Sequence, residues 1–254
     1  MVKLDSIGGR IMFELIDKKK NIIDQKRPLP KNTLKSLREK LFLEWTYNSN
    51  AIEGNTLTLS ETKVVLEDGI TVGGKTVKEH LEVLNHKEAI FYMEDIINNN
   101  ESLSERQIKN IHNLILKGID DENAGRYRKE KVVISGAEHI PPDPIIVQEQ
   151  MGKLLNWYYG DGKKLHVVEK AAVLHTDLVK IHPFIDGNGR TARVILNFEL
   201  MKNGYPIIII RNEDRVKYYE TLDKAHITGD YSGFINLIVE ALNRSLDLYL
   251  KLIN

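Results

Sequence analysis

Between residues 58 and 107 the chain repeats one local rule three times. A hydroxyl residue stands three positions before a glutamate or glutamine, with apolar residues at helical spacing behind it. The pairs are Thr58 with Glu61, Thr76 with Glu79, and Ser104 with Gln107. Such a pair satisfies backbone N–H groups that the first turn of a helix leaves open, so each marks a helix start. Ahead of them, Leu34, Leu37, Leu41 and Trp45 recur at three and four residues, one face of an amphipathic helix running towards Asn50. Gly69 and Gly118 read as stops. The helix from Val77 to about Ile97 carries Leu81, Leu84, Ala89, Tyr92 and Ile96 along one side. Further helices are expected over 145–158, 167–180, from Asn188 to Gly204, and over 234–252. The one strand signal is Lys131 to Ile134 with a turn at Ser135-Gly136. The expected fold is all-α with one short β-hairpin. Lys18 to Lys20 and Pro28-Leu29-Pro30 read as an exposed connection, dividing an N-terminal extension (1–32) from one main domain (33–254).

Composition narrows the function. Lys plus Arg and Asp plus Glu both number 36, a net charge of zero. That gives no footprint of a nucleic-acid binder, which carries a basic excess. The absence of cysteine removes thiolate nucleophiles, disulfides and Cys-based zinc sites. His80, His86, His112, His139, His166 and His175 form no metal-binding pattern such as HExxH. The longest aliphatic run, Ile207 to Ile210, falls far short of the roughly 20 residues of a membrane span. No signal peptide is evident at the N-terminus, and a cytoplasmic protein is expected.

The segment His182-Pro183-Phe184-Ile185-Asp186-Gly187-Asn188-Gly189-Arg190-Thr191-Ala192-Arg193 carries chemistry. Pro183 disfavours helix at His182, so one helix ends before the segment. The next begins at the Gly-Asn-Gly turn, where open N–H groups and the helix dipole favour an anion, and glycines let a phosphate approach the backbone. Arg190 and Arg193, three apart, share a helix face, and two guanidinium forks beside an anion site suit a polyphosphate. Asp186 suits a Mg²⁺ ion bridging the phosphates. His182 is the group there able to accept a proton near neutral pH.

This stretch resembles the Fic-family motif HPFx(D/E)GNGRxxR at every position, and the likeness extends from about Leu43 to Leu248. It is similar to the catalytic core of animal Fic AMPylases and their bacterial relatives. The resemblance implies a mainly helical Fic fold and transfer of AMP from Mg²⁺-ATP to a Ser, Thr or Tyr hydroxyl of a target protein, itself included. It also assigns roles. His182 would be the base, Asp186 the Mg²⁺ ligand, Gly187, Asn188 and Gly189 the phosphate cradle, and Arg190 and Arg193 the phosphate clamps, with Arg193 at the γ end. The Doc-like phosphotransferases resemble this motif but carry Lys where this chain has Gly189, which favours AMP transfer.

Upstream, Ser49 and Glu53 are an i, i+4 pair on a helical turn ended by Gly54. A glutamate at a helix C-terminus opposes the dipole and points to an external cation. The segment Ser49 to Gly54 resembles the Fic inhibitory motif (S/T)xxxE(G/N), placed before the core, whose glutamate pairs with the second motif arginine. An inhibitory helix around 44–54 and a Glu53–Arg193 lock are therefore expected, in an enzyme whose resting state is inhibited. The same resemblance leaves open removal of AMP by a water positioned on Glu53. Lys129 to Ile140 resembles the family's flap, a hairpin that aligns a target by strand addition. Tyr218 and Tyr219 fall on the adenine side in relatives, where His226 replaces a polar partner such as Asn.

Two other readings stand beside this one, a Doc-like phosphotransferase or nucleotide hydrolase and a non-catalytic nucleotide-binding regulator. Neither a nucleic-acid nor a membrane partner is expected. A homodimer is possible through the exposed region around Val77.

Overall fold

The computed structural model describes residues 7–253, so residues 1–6 of the expected extension lie outside the described part. Ten helices form the described chain: α1 (Ile7–Gln25), α2 (Lys31–Ile52), α3 (Leu59–Glu67), α4 (Val77–Asn98), α5 (Glu105–Leu116), α6 (Val147–Tyr159), α7 (Val167–Ile181), α8 (Asn188–Lys202), α9 (Arg215–Thr228) and α10 (Ser232–Ile253). Both Thr58 and Thr76 close complete capping boxes with Glu61 and Glu79, and the Ser104 hydroxyl accepts from Gln107 N.

The centre is the α7–α8 pair. One apolar cluster joins it to α2, α4, α5 and α6 through Trp45, Met93, Ile111, Met151, Leu174 and Phe198. The other joins it to α1, α9 and α10 through Ile16, Ala172, Leu200, Leu222 and Ile238. Helix α8 is therefore enclosed on all sides, and from Arg190 to Leu200 every residue is buried. A helix so placed must satisfy its polar side chains internally. Asn197 exchanges two hydrogen bonds with the Ile208 backbone, at 3.0 and 2.8 Å. Glu199 accepts from Lys170 at 2.9 Å and from the Tyr158 hydroxyl.

Two expectations are corrected. Lys18 to Lys20 lie inside α1 instead of in a connection, because Phe13, Ile16 and Ile23 on the same helix are buried in the cluster shared with α10. The expected β-hairpin at Lys129 to Ile140 does not form, and the described residues contain no strand. An isolated two-stranded hairpin needs an apolar face to rest on another element. Here Val133 is 85% and Ile140 75% exposed. Side chains take the segment's backbone groups instead. Asp223 of α9 accepts from Glu138 N and His139 N, both at 3.0 Å, and Arg128 donates to Glu130 O at 2.9 Å. One turn remains, closed by Ala137 N to Ile134 O at 3.2 Å.

Candidate active site

Helix α7 ends at His182, whose left-handed backbone (φ 49°, ψ 59°) turns the chain away from the helix axis before Pro183. Loop 182–187 then leads into α8. Its shape is fixed by Asn188, whose side-chain oxygen accepts from Phe184 N at 3.0 Å while its amide donates to Phe184 O at 2.9 Å. Gly187, at φ 75°, sits against His112, so a side chain there would meet both strain and the imidazole ring.

His112 of α5 braces the loop from beneath. Its Nδ1 accepts from Gly125 N at 2.9 Å, so Nε2 carries the proton and donates to Asp186 O at 2.8 Å. The ring stacks on Phe184 at 3.6 Å between centroids. Burial pushes this imidazole down to about 4, which keeps the tautomer neutral. From the other side Arg128, itself buried, donates through Nε to His182 O at 2.8 Å, and its backbone N–H donates to Pro183 O at 2.9 Å.

The His182 imidazole is held down to about 4, chiefly by burial, with Glu53 and Asp186 opposing that shift. It is thus neutral across the physiological range and able to take a proton. Asp186 is half exposed. Burial pushes its carboxyl upward, but Arg190 and the Gly187 N–H outweigh this and hold it below the usual carboxylate range.

Arg190 and Arg193 are both about 2% exposed, yet differ in what they hold. Arg193 uses four of its five N–H donors: Nε donates to Ser49 Oγ at 3.0 Å, Nη1 to the Tyr218 hydroxyl at 3.2 Å, and Nη2 to both Ser49 O and Glu53 Oε1 at 2.7 Å. Burial pulls its pKa down, but Glu53 and Tyr218 more than compensate. Arg190 touches Asp186 Oδ2 at 3.3 Å and Glu82 Oε1 at 3.2 Å, and its Nε and Nη1 have no hydrogen-bond acceptor. One arginine is largely engaged, and the other keeps donors in reserve.

The C-terminus of α2 delivers Ser49 and Glu53. Glu53 is its cap, followed by Gly54 at φ 98°. Two side chains of α9 hold that end: Arg215 Nε donates to Ile52 O at 2.7 Å and the Tyr219 hydroxyl donates to the same oxygen at 3.3 Å. Glu53 lies over the start of α8, where a Cβ on Gly189 would collide with its Oε1 and stand 3.0 Å from Arg193 Nη1. Any side chain at 189 is therefore incompatible with this placement of Glu53.

The structure brings His182, Asp186, the 187–189 turn, Arg190, Arg193, Ser49 and Glu53 together. Tyr218 is placed fully buried, its hydroxyl between Arg193 and His175 Nε2 (3.1 Å), so it supports Arg193. Tyr219 is 37% exposed beside it. His226 donates through Nε2 to Thr176 O at 3.0 Å. Sequence reasoning missed Glu82, His112, Arg128 and Arg215.

The sequence pattern of the Fic/DOC family matches residues 102–200. Protein adenylyltransferase Fic of Nematostella vectensis is 41% identical over 93% of this chain, which covers 56% of that protein. The counterpart of Culex quinquefasciatus is 37% identical over 94% of this chain and is covered to 47%. The chain thus spans about half the length of the curated relatives it matches. A Fic-domain-containing signalling protein from Bacteroides thetaiotaomicron, 32% identical, superposes with a TM-score of 0.85 over 95% of this chain and 96% of that one. Fic-1 from C. elegans superposes with a TM-score of 0.87 at 29% identity, over 95% of this chain and 72% of that one.

Proposed function

The chain belongs to the Fic/DOC family, and from that premise we propose that it is a protein adenylyltransferase held in an inhibited resting state. The observation that carries this reading is the engagement of Arg193 by Ser49, Glu53 and Tyr218 beside a loop whose other groups stand ready. Its support is the adenylyltransferase activity for which the animal relatives are named, together with the pairing of Glu53 with the motif arginine at 2.7 Å.

In the proposed reaction the target's Ser, Thr or Tyr oxygen attacks the α-phosphorus of ATP. The bond to the bridging oxygen breaks, pyrophosphate leaves, and the hydroxyl proton passes to neutral His182. The 187–189 turn, at the N-terminus of α8, receives phosphate oxygens on its backbone N–H groups. Arg190 supplies donors it does not use at rest. Arg193 would take the γ-phosphate, and Glu53 occupies it until displaced. Residues 33–254 carry these groups, and Tyr219 lines the side assigned to adenine.

Magnesium fits at Asp186. Mg²⁺ is commonly held by one or two carboxylates together with substrate phosphates, and a half-exposed, ionised carboxylate beside the anion turn meets that need. When bound there it would neutralise charge on the phosphates. No helix among the described residues is long and apolar enough to cross a membrane. Val77, 76% exposed at the start of α4, suits a homodimer contact.

The test uses Glu53→Gly protein with Mg²⁺ and ATP labelled at either the α- or the γ-phosphate. AMP transfer leaves α-label on protein and none of the γ-label. Protein carrying γ-label instead would make the chain a phosphotransferase.

A further inference from the structure

Glu82 had no place in the sequence reading, yet it touches the one motif arginine that the inhibitory segment leaves alone. It sits on the buried face of α4 and is only 8% exposed. Its Oε1 stands 3.2 Å from Arg190 Nη1. Its Oε2 accepts from Asn55 Nδ2 at 2.9 Å, and the same amide donates to Glu79 O at 3.0 Å. Asn55 follows Glu53 and Gly54, and its backbone N–H returns to Asn50 O at 3.1 Å. One carboxylate therefore joins the turn after the inhibitory glutamate to a phosphate-binding arginine.

A buried ion pair is weak evidence for stability, since desolvating both ions offsets most of their attraction. What the pair does here is set a position. Arg190 lies between two carboxylates, Glu82 on the buried side and Asp186 on the open side, at almost equal distances of 3.2 and 3.3 Å. Of these two carboxylates, only Glu82 draws the guanidinium away from Asp186. A guanidinium closing bidentately on Asp186 would engage the very oxygens a cation needs.

We propose that Glu82 is a positioning residue that holds Arg190 back from Asp186, keeping that carboxylate open to the magnesium ion that enters with ATP. This rests on the adenylyltransferase reading above. Asn55 orients Glu82 by its bond to Oε2, so the turn beside Glu53 also sets how Arg190 is shared. Partners that orient metal ligands typically matter about 10- to 100-fold in metal affinity.

The test is ATP binding by calorimetry in Glu53→Gly/His182→Ala protein, which binds without turning over, in EDTA and across a Mg²⁺ series. Adding Glu82→Gln is expected to raise the Mg²⁺ concentration needed for tight ATP binding about tenfold, while affinity in EDTA stays unchanged. Asn55→Ala, which keeps the charge but frees its orientation, is expected to move the same quantity in the same direction by less, and decides the matter if Glu82→Gln does not fold. An unchanged Mg²⁺ requirement overturns the inference alone. So does an equal loss of affinity with and without Mg²⁺, which would make Glu82 a support for the phosphate site only. A parent protein that binds ATP identically with and without Mg²⁺ overturns both the inference and the reading beneath it.

Discussion

Arg190 and Arg193 stand one helical turn apart on α8, equally buried, and their hydrogen bonding separates their roles. Arg193 is bound by groups from α2 and α9, so releasing it requires moving those groups. His182 belongs to neither network, and its protonation follows from burial. Its imidazole, held at about 4, charges only as pH falls through that value, so the base stays competent well below the ordinary histidine range. Initial rates of AMP transfer by Glu53→Gly protein, normalised to the folded fraction, are therefore expected to show no acid limb near 6.5. A limb centred near 6.5 would show the imidazole to be solvated in the working enzyme.

At the scale of elements, the inhibitory glutamate works only because the end of α2 is fixed. Arg215 and Tyr219 of α9 both donate to Ile52 O, and the Arg215 guanidinium lies 5.2 Å from the Tyr219 ring centre. Removing Arg215 takes away one charge-assisted hydrogen bond, a group of about 1.5–3 kcal/mol. Arg215→Ala with Glu53 intact is expected to raise basal AMP transfer several-fold and to lower the thermal midpoint by a few degrees, read from labelled-ATP incorporation and calorimetry. Basal transfer equal to wild type would detach α9 from the inhibition. The helix starts were legible because capping boxes are local chemistry, and the motif loop because its residues are contiguous. What holds the site is not contiguous. Glu82, His112, Arg128 and Arg215 come from four separate segments and act through backbone or ion-pair contacts with no fixed spacing. One signal was present for Glu82: with Asn85 and His86 it places polar residues at helical spacing among Val83, Ala89 and Ile90 on the buried face of α4. The hairpin expected at 131–134 failed because β-propensity is local, while the acceptor that replaced its ladder, Asp223, lies on α9.

For the whole molecule, enclosing α7 and α8 on every side buries histidines that must stay neutral. His86 is held at about 3 and His112, His182 and His226 at about 4, each chiefly by burial, and buried His175 is lowered likewise. Below the unfolded value of about 6.5 the unfolded chain binds more protons than the folded one, so stability falls as pH falls. Each such histidine adds a slope of about 1.4 kcal/mol per pH unit between 6.5 and its folded value. Denaturant titrations are expected to show little change in these contributions above pH 7 and a steep loss from pH 6.5 towards 4; a flat stability across that window would mean the histidines are solvated. The same enclosure sets Ser49 and Glu53 against Arg193, and that lock is the centre of the account. Its most direct measurement is protein-bound α-label from Mg²⁺-ATP in wild type, Glu53→Gly, and Glu53→Gly/His182→Ala. The account predicts little label on wild type and a gain of at least about tenfold, some 1.4 kcal/mol, on Glu53→Gly. The double variant should lose about 10²- to 10⁴-fold of that gain. Equal labelling of wild type and Glu53→Gly would contradict it.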